Sequence, residues 1–361
     1  MECLLEDPRG IITDGVECEC ECEDLDEDCD NSQFLMEQLS SSTFEALFQF
    51  LNPQQECENP EVKDEAPITN ASVFAAYTPQ DVSVIAQTMS RLQSAHRESQ
   101  ERTDLAIQQR VLLPLEVDST ISSTETLSSQ GVVRINSVLS HDLCDACLEV
   151  INERLAEAIA VDDPMVVETG FGNVLAREHR WDIYMKNDGI ITTTLRHLLG
   201  LSNTPIREAL GPLFGGADAS FHELSALVSD AGAVSQPIHP DTMYTDIAPL
   251  YTVFVALQDI TDDMGATIFL PRTPTEECHR LHKSPTTKDA FLAKAEYRQA
   301  LLKKGDCAIM DSRLLHCGDA NYGDRRVLLY FTLRNPLYQG KDMPTGSKFA
   351  DLNLWLNDVS A

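Results

Sequence analysis

The chain has no run of 18 apolar residues, so nothing in it predicts a membrane-spanning helix. Its first ten residues, MECLLEDPRG, hold neither a basic n-region nor an apolar h-region. The start does not read as a secretory signal, and a cytoplasmic location is expected. Basic residues are scarce: 27 Lys and Arg stand against 58 Asp and Glu, a formal net charge of −31. A surface of that sign repels phosphate backbones, so no nucleic-acid partner is expected. There is no G-x-G-x-x-G after a strand and no G-x-x-x-x-G-K-[ST], which takes weight from nucleotide-binding folds. No internal repeat is visible.

What the chain has in excess is acid and cysteine. Residues 1–64 hold 19 Asp and Glu against Arg9 and Lys63, a net of −17, which leaves −14 for the rest. This segment reads as acidic and poorly ordered, apart from one amphipathic stretch over 34–51. Five of the 11 cysteines fall within its first 30 residues: Cys3, Cys18, Cys20, Cys22 and Cys29. Without a secretory signal they read as thiols, not as a disulfide framework. Cys144 and Cys147 form a C-x-x-C inside a helical pattern capped by Ser140. Two small buried residues on one helix face explain them better than a redox pair.

Composition and periodicity predict a division into several segments. Residues 65–125 are a helical lead-in and linker, with a long helix from Pro79 to about Arg110 and a Ser/Thr-rich loop after it. Residues 126–340 are the main domain, and 341–361 a tail. A strand at GVVRIN precedes the helix 141–160, and HRWDIYMK (179–186) is a second strand. Helices near 191–200 and 204–214 lead into SFHELSALVS, YTVFVALQDI, ATIFLP, DCAIMDS and RRVLLYFTLRN, all β-branched or aromatic runs. A helical stretch over 287–304 interrupts them. Strands late and helices early predict a mainly β domain with helical support.

One polar interruption carries chemistry. HPDTMY places His239 and Asp241 two residues apart, and i and i+2 on a strand share a face. Alone, H-x-D is as well explained by a surface turn. The best third ligand is His316, in KKGDCAIMDSRLLHCGDANYGDRRVLLYFTL, which opens on a Gly-Asp turn and ends on a strand headed by Arg325 and Arg326. Two imidazoles and a carboxylate suit Fe(II) with open positions. A buried guanidinium beyond the distal histidine suits the far carboxylate of a 2-oxo dicarboxylic acid.

In this order the H-x-D pair, ALQDITDDMGATIFLP, GDCAIMDSRLLHCGDAN and RRVLLYF resemble the phytanoyl-CoA dioxygenase-like family, over roughly residues 125–340. The resemblance implies a double-stranded β-helix, a jelly roll like that of the cupins. It implies a dioxygenase using Fe(II), 2-oxoglutarate and O2, with ascorbate as a reductant keeping the iron ferrous, and releasing succinate and CO2. His239, Asp241 and His316 would be the iron ligands and catalytic centre. Arg325 would clamp the cosubstrate, with Arg326 as its rival, because a one-residue slip on a strand changes faces. After ATIFLP the family usually has Gly-Ser-His or Gly-Thr-His; here Arg272-Thr273-Pro274 stands instead.

Other residues stay open. Arg180 and Tyr184 on an early strand either face the cosubstrate or belong to the sheet surface and core. His222 either lines the site or sits in the core. His279 and His282, in CHRLHK, read as solvated loop residues in preference to a zinc pair. Hydroxylation of an unactivated C–H is the default reaction, with desaturation and cyclisation open to the same chemistry. Asp241 argues against halogenation, which needs a small residue in its place. No basic cluster suits a nucleotide diphosphate, so a free small molecule is preferred, an amino-acid derivative or a terpenoid-like intermediate. The alternatives are a cupin-like metalloenzyme without 2-oxoglutarate and a non-catalytic binding protein on the same barrel.

Overall fold

Hydrophobic alternation in the late strands is the key to the architecture. In the computed structural model, residues 112–160, 166–167, 179–340 and 354–360 are described, and all fall in the compact unit Ser94–Ala361. The acidic segment 1–64, the amphipathic stretch 34–51, the helix from Pro79 to Arg110 and most of the 341–361 tail lie outside the described residues.

Along the chain the strands are β1 (Leu113–Pro114), β2 (Val132–Ile135), β3 (Val166–Val167), β4 (Arg180–Tyr184), β5 (Phe221–Ser229), β6 (Leu250–Ala256), β7 (Thr267–Phe269), β8 (Arg298–Gln299), β9 (Cys307–Asp311), β10 (His316–Gly318) and β11 (Arg326–Arg334). The helices are α1 (Ser123–Gln130), α2 (His141–Ala160), α3 (Gly189–Leu199), α4 (Pro205–Leu210), α5 (Glu276–Lys283) and α6 (Lys288–Leu292). Seven strands form one sheet in the order β2-β9-β6-β11-β5-β4-β3, and four form another in the order β1-β8-β7-β10. Within the larger sheet every pairing is antiparallel.

The two faces of the large sheet bury different things. Val253, Val255, Val327, Leu329, Phe331 and Leu333 pack on Cys147, Ile151 and Leu155 of α2 and Leu195 and Leu198 of α3. Their alternates Ala256, Ala308, Met310 and Leu328 pack on Phe269, Ala300 and Leu302 from the small-sheet side. A strand covered on both faces needs apolar residues at nearly every position, which is why VLLYFTL reads as a continuous run. Two sheets with a packed interior and helices outside make the jelly roll that the sequence implied.

Three local readings change. The Ser/Thr-rich loop contains α1, because Ser122 and Glu125 form a capping box: the Ser122 hydroxyl accepts from the Glu125 N–H and the Glu125 carboxylate accepts from the Ser122 N–H. The expected helix over 287–304 ends at Leu292. Tertiary pairing overrides helix propensity there, since Arg298 and Gln299 join β7 opposite Phe269 and Ile268. CHRLHK is helical, capped by the Thr275 hydroxyl on the Cys278 N–H. Among the described residues no helix is long and apolar enough to cross a membrane.

Candidate metal centre

His239 and His316 face each other across an isolated antiparallel bridge. Each backbone N–H donates to the other's carbonyl at 2.9 Å. This reciprocal pair sets the imidazoles side by side, ring centroids 4.5 Å apart. Asp241 is fixed from the loop after β9: its N–H and that of Thr242 both donate to the Ser312 carbonyl at 2.9 Å. Asp241 Oδ1 then lies 3.8 Å from His239 Nε2 and 3.5 Å from His316 Nε2. One ligand atom from each of the three falls within 4.8 Å of the others, and among the described residues no other such grouping occurs.

The ring orientations are forced. Nδ1 of His239 is 2.8 Å from the Pro237 carbonyl, and Nδ1 of His316 is 2.9 Å from the Leu314 carbonyl. A carbonyl only accepts, so each Nδ1 carries the proton and donates, leaving the Nε2 lone pair aimed inward. Burial pushes the His239 imidazole down to about 4, with His316 adding and Asp241 opposing, and burial pushes His316 down to about 4 as well. Both rings are therefore neutral near pH 7. Burial also raises the Asp241 carboxyl to about 6, against the opposing pull of His239. Its Oδ1 is buried without a hydrogen-bond partner. Two aimed lone pairs and an orphaned carboxylate oxygen fit a divalent cation with mixed N/O donors.

The two neighbouring arginines at the head of β11 part company. Arg325 lies on the surface, its guanidinium on Asp230 at 2.6 and 2.9 Å and on Asn152 at 3.1 Å. It does not line the cavity, because adjacent strand residues point to opposite faces. Arg326 is fully buried and lines the cavity that holds the three ligands. It donates through Nη1 to the Gly265 carbonyl, while Nε and Nη2 have no partner. Burial, with Arg180 nearby, pulls it down to about 9, so it stays charged at neutral pH.

Arg180 is buried just behind that cavity. Its Nη2 donates to the carbonyls of Val234 and Asp319, at 2.9 and 3.2 Å. A Cβ built on Gly318 would stand 2.7 Å from Arg180 Nη1 and 2.8 Å from Gln236 Oε1, so glycine is required where these side chains meet the cavity wall. Tyr184 is half-buried and does not line the cavity. His222 does, with Nδ1 at 3.3 Å from Arg334 Nε. In the loop after β7, Arg272 holds φ +64, the left-handed region that glycine adopts freely. The Thr273 hydroxyl accepts from the Leu315 N–H at 2.9 Å and so braces the residue before His316.

Several wall residues were not singled out from sequence: Asp182, Glu223, Gln236, Thr252, Tyr330 and Thr332. The available signal was a polar side chain at alternate positions of strands otherwise apolar on both faces. The expectation of a solvated His279 and His282 fails: His279 is buried on α5, its Nε2 2.7 Å from the Arg313 carbonyl, and the Nε2 of His282 is buried too. Cys144 and Cys147 are free and fully buried on α2, and burial raises both thiols, Cys144 to about 11. That is the inert arrangement expected of packing residues.

Similar structures include the epimerase SnoN in complex with Fe3+, alpha ketoglutarate and nogalamycin RO, 18% identical, covering 59% of this chain and 82% of that one at a TM-score of 0.44. The non-heme alpha ketoglutarate dependent carbocyclase SnoK is 16% identical, covering 63% and 87% at 0.45. AviO1 from Streptomyces viridochromogenes Tue57 is 15% identical, covering 62% and 98% at 0.42. No curated protein sequence matches the chain. The family model described as phytanoyl-CoA dioxygenase (PhyH) matches residues 127–327, more than half of the chain, from within α1 to the head of β11. The chain belongs to the phytanoyl-CoA dioxygenase family and is an oxidoreductase of the dioxygenase type.

Proposed function

We propose that the protein oxidises an unactivated C–H bond of a small molecule, with iron on His239, Asp241 and His316 and the far carboxylate of 2-oxoglutarate on Arg326. The observation that carries this reading is the union, in one buried cavity, of three converging ligands and a guanidinium with two unpartnered nitrogens. When bound, iron and 2-oxoglutarate supply the oxidising power, with succinate and CO2 as co-products.

The chain's own residues do the positioning. Pro237 and Leu314 carbonyls hold the ligand rings in the tautomer that binds a cation. Arg326 offers a planar, two-pronged contact to a carboxylate, which an ammonium could not match. Phe254, Leu227 and Leu250 give the wall apolar surface that keeps water away. Asp241 fills the carboxylate position, which favours hydroxylation, desaturation or cyclisation over halogenation.

The test is an anaerobic titration of the protein with Fe(II) and then 2-oxoglutarate, watching for the visible charge-transfer band of the chelate. A screen for substrate-stimulated succinate follows. His239→Ala, Asp241→Ala and His316→Ala are each expected to lose iron and the band while keeping the far-UV circular dichroism of the parent. A variant that binds iron and turns over like the parent removes that residue from the ligand set.

A further inference from the structure

The cavity has a second polar locus, on the same wall as Arg326 but two strands away. Asp182 sits at the middle of β4, buried, and lines the cavity. Its Oδ2 accepts a 2.9 Å hydrogen bond from the Tyr330 hydroxyl, while Oδ1 is buried with no partner. Asp182 pairs opposite Leu227, which pairs opposite Leu328, so in register it lies two residues along from Arg326 and two strands away from β11. Arg180, two residues earlier on β4, commits its Nη2 to the Val234 and Asp319 carbonyls, and its Nη1 stands beside Gly318. Among the described residues no cation forms an ion pair with Asp182. Glu223, which lines the same wall, adds a second carboxyl close enough to raise the Asp182 pKa further beyond the effect of burial.

We propose that Asp182 is the recognition point for a cationic nitrogen, a protonated amine, on the substrate. This rests on the reading of the cavity as an oxygenase site. Burial and Glu223 favour the protonated Asp182 carboxyl in the absence of a cation, and a hydroxyl would leave it so. A protonated amine supplies both the donor and the charge, and charge-assisted bonds are about twice as strong as neutral ones. The carbon body would lie on Phe254 and Leu227.

The probes are matched pairs: cyclohexylamine and cyclohexanol, 1-adamantylamine and 1-adamantanol, octylamine and octanol. Binding is measured calorimetrically at neutral pH, with metal-free protein and with protein carrying Fe(II) and 2-oxoglutarate under nitrogen. At least one ammonium is expected to bind roughly tenfold or more tighter than its alcohol. Asp182→Asn is expected to erase the preference, and Asp230→Asn, at the surface pair with Arg325, to keep it. The proposal is overturned if no pair shows the preference or if Asp182→Asn retains it. Should Asp182→Asn not fold, nuclear Overhauser contacts from the amine's C–H protons nearest the nitrogen to the Tyr330 ring decide the matter in the parent protein, and their absence overturns the proposal. If the charge-transfer band forms but the preference is missing, this inference fails alone. If the band never forms, the oxygenase reading fails, while binding to the metal-free protein still decides this one.

Discussion

One residue's step along β11 separates a surface ion pair from a buried cation. Replacing Arg326 with Ala should raise the KM for 2-oxoglutarate by roughly 30-fold to several-thousand-fold, since losing one partner of a buried charge pair costs about 2–5 kcal/mol. Arg326→Lys should recover only part of this, because a point charge lacks the two-pronged contact. Arg325→Ala should leave that KM unchanged and shift stability by no more than about 1 kcal/mol, as exposed pairs do. Kinetics at saturating substrate with varied 2-oxoglutarate check all three. Asp182 yields a pH prediction. Its pKa in the folded protein is raised well above 3.8 by burial, with Glu223 adding. In that window the folded state holds a proton that the unfolded state has released, so Asp182 costs stability as pH rises above about 4. Asp182→Asn should therefore be more stable than the parent near pH 7, and its advantage should vanish below about pH 4. Urea unfolding across pH measures the difference.

Elements show where sequence was enough. The H-x-D pair, the distal histidine and the strand runs were legible because their spacing is local and their pattern repeats every two residues. Strands β5, β6, β9 and β11 fall where the apolar runs put them. The choice between Arg325 and Arg326 was not legible, because strand phase is set by partners: Arg326 pairs opposite Ser229, a long-range fact. Asp182 and Tyr330 were missed for the same reason, since they come together across strands far apart in the chain. The capping box of α1 was local and could have been read from S-x-x-E at Ser122 and Glu125. Ser122→Ala should cost about 0.5–2 kcal/mol. Its midpoint should fall by a few degrees at roughly 2–4 °C per kcal/mol, read by differential scanning calorimetry.

For the molecule as a whole, the large sheet is a partition with helices on one side and the cavity and small sheet on the other. Asp306, at the turn entering β9, ties several parts of it together. Its carboxylate accepts from Arg134 on β2 at 2.7 Å, from the Ser137 N–H at 2.9 Å and from the Lys303 N–H at 3.1 Å. Arg134 in turn donates to the carbonyls of Leu115 and Leu301, each at 3.2 Å. Asp306→Ala removes the countercharge of the largely buried Arg134 guanidinium and the acceptor of two N–H groups at once. It should cost roughly 3–5 kcal/mol, or about 10 °C in Tm, while leaving the KM for 2-oxoglutarate in the surviving folded fraction unchanged.

The bridge between His239 and His316 bears on a different observable. Because each backbone amide is locked onto the other's carbonyl, the two ligands are held by main chain and not by the ion. Deuterium should therefore replace these two amide protons slowly in the metal-free protein, at rates close to those of the central strands β6 and β11. Adding Fe(II) should slow the exchange little further, since the ion meets a cradle that is already shut. Fast exchange at both amides without metal, arrested on loading, would mean that the ion closes the clasp itself.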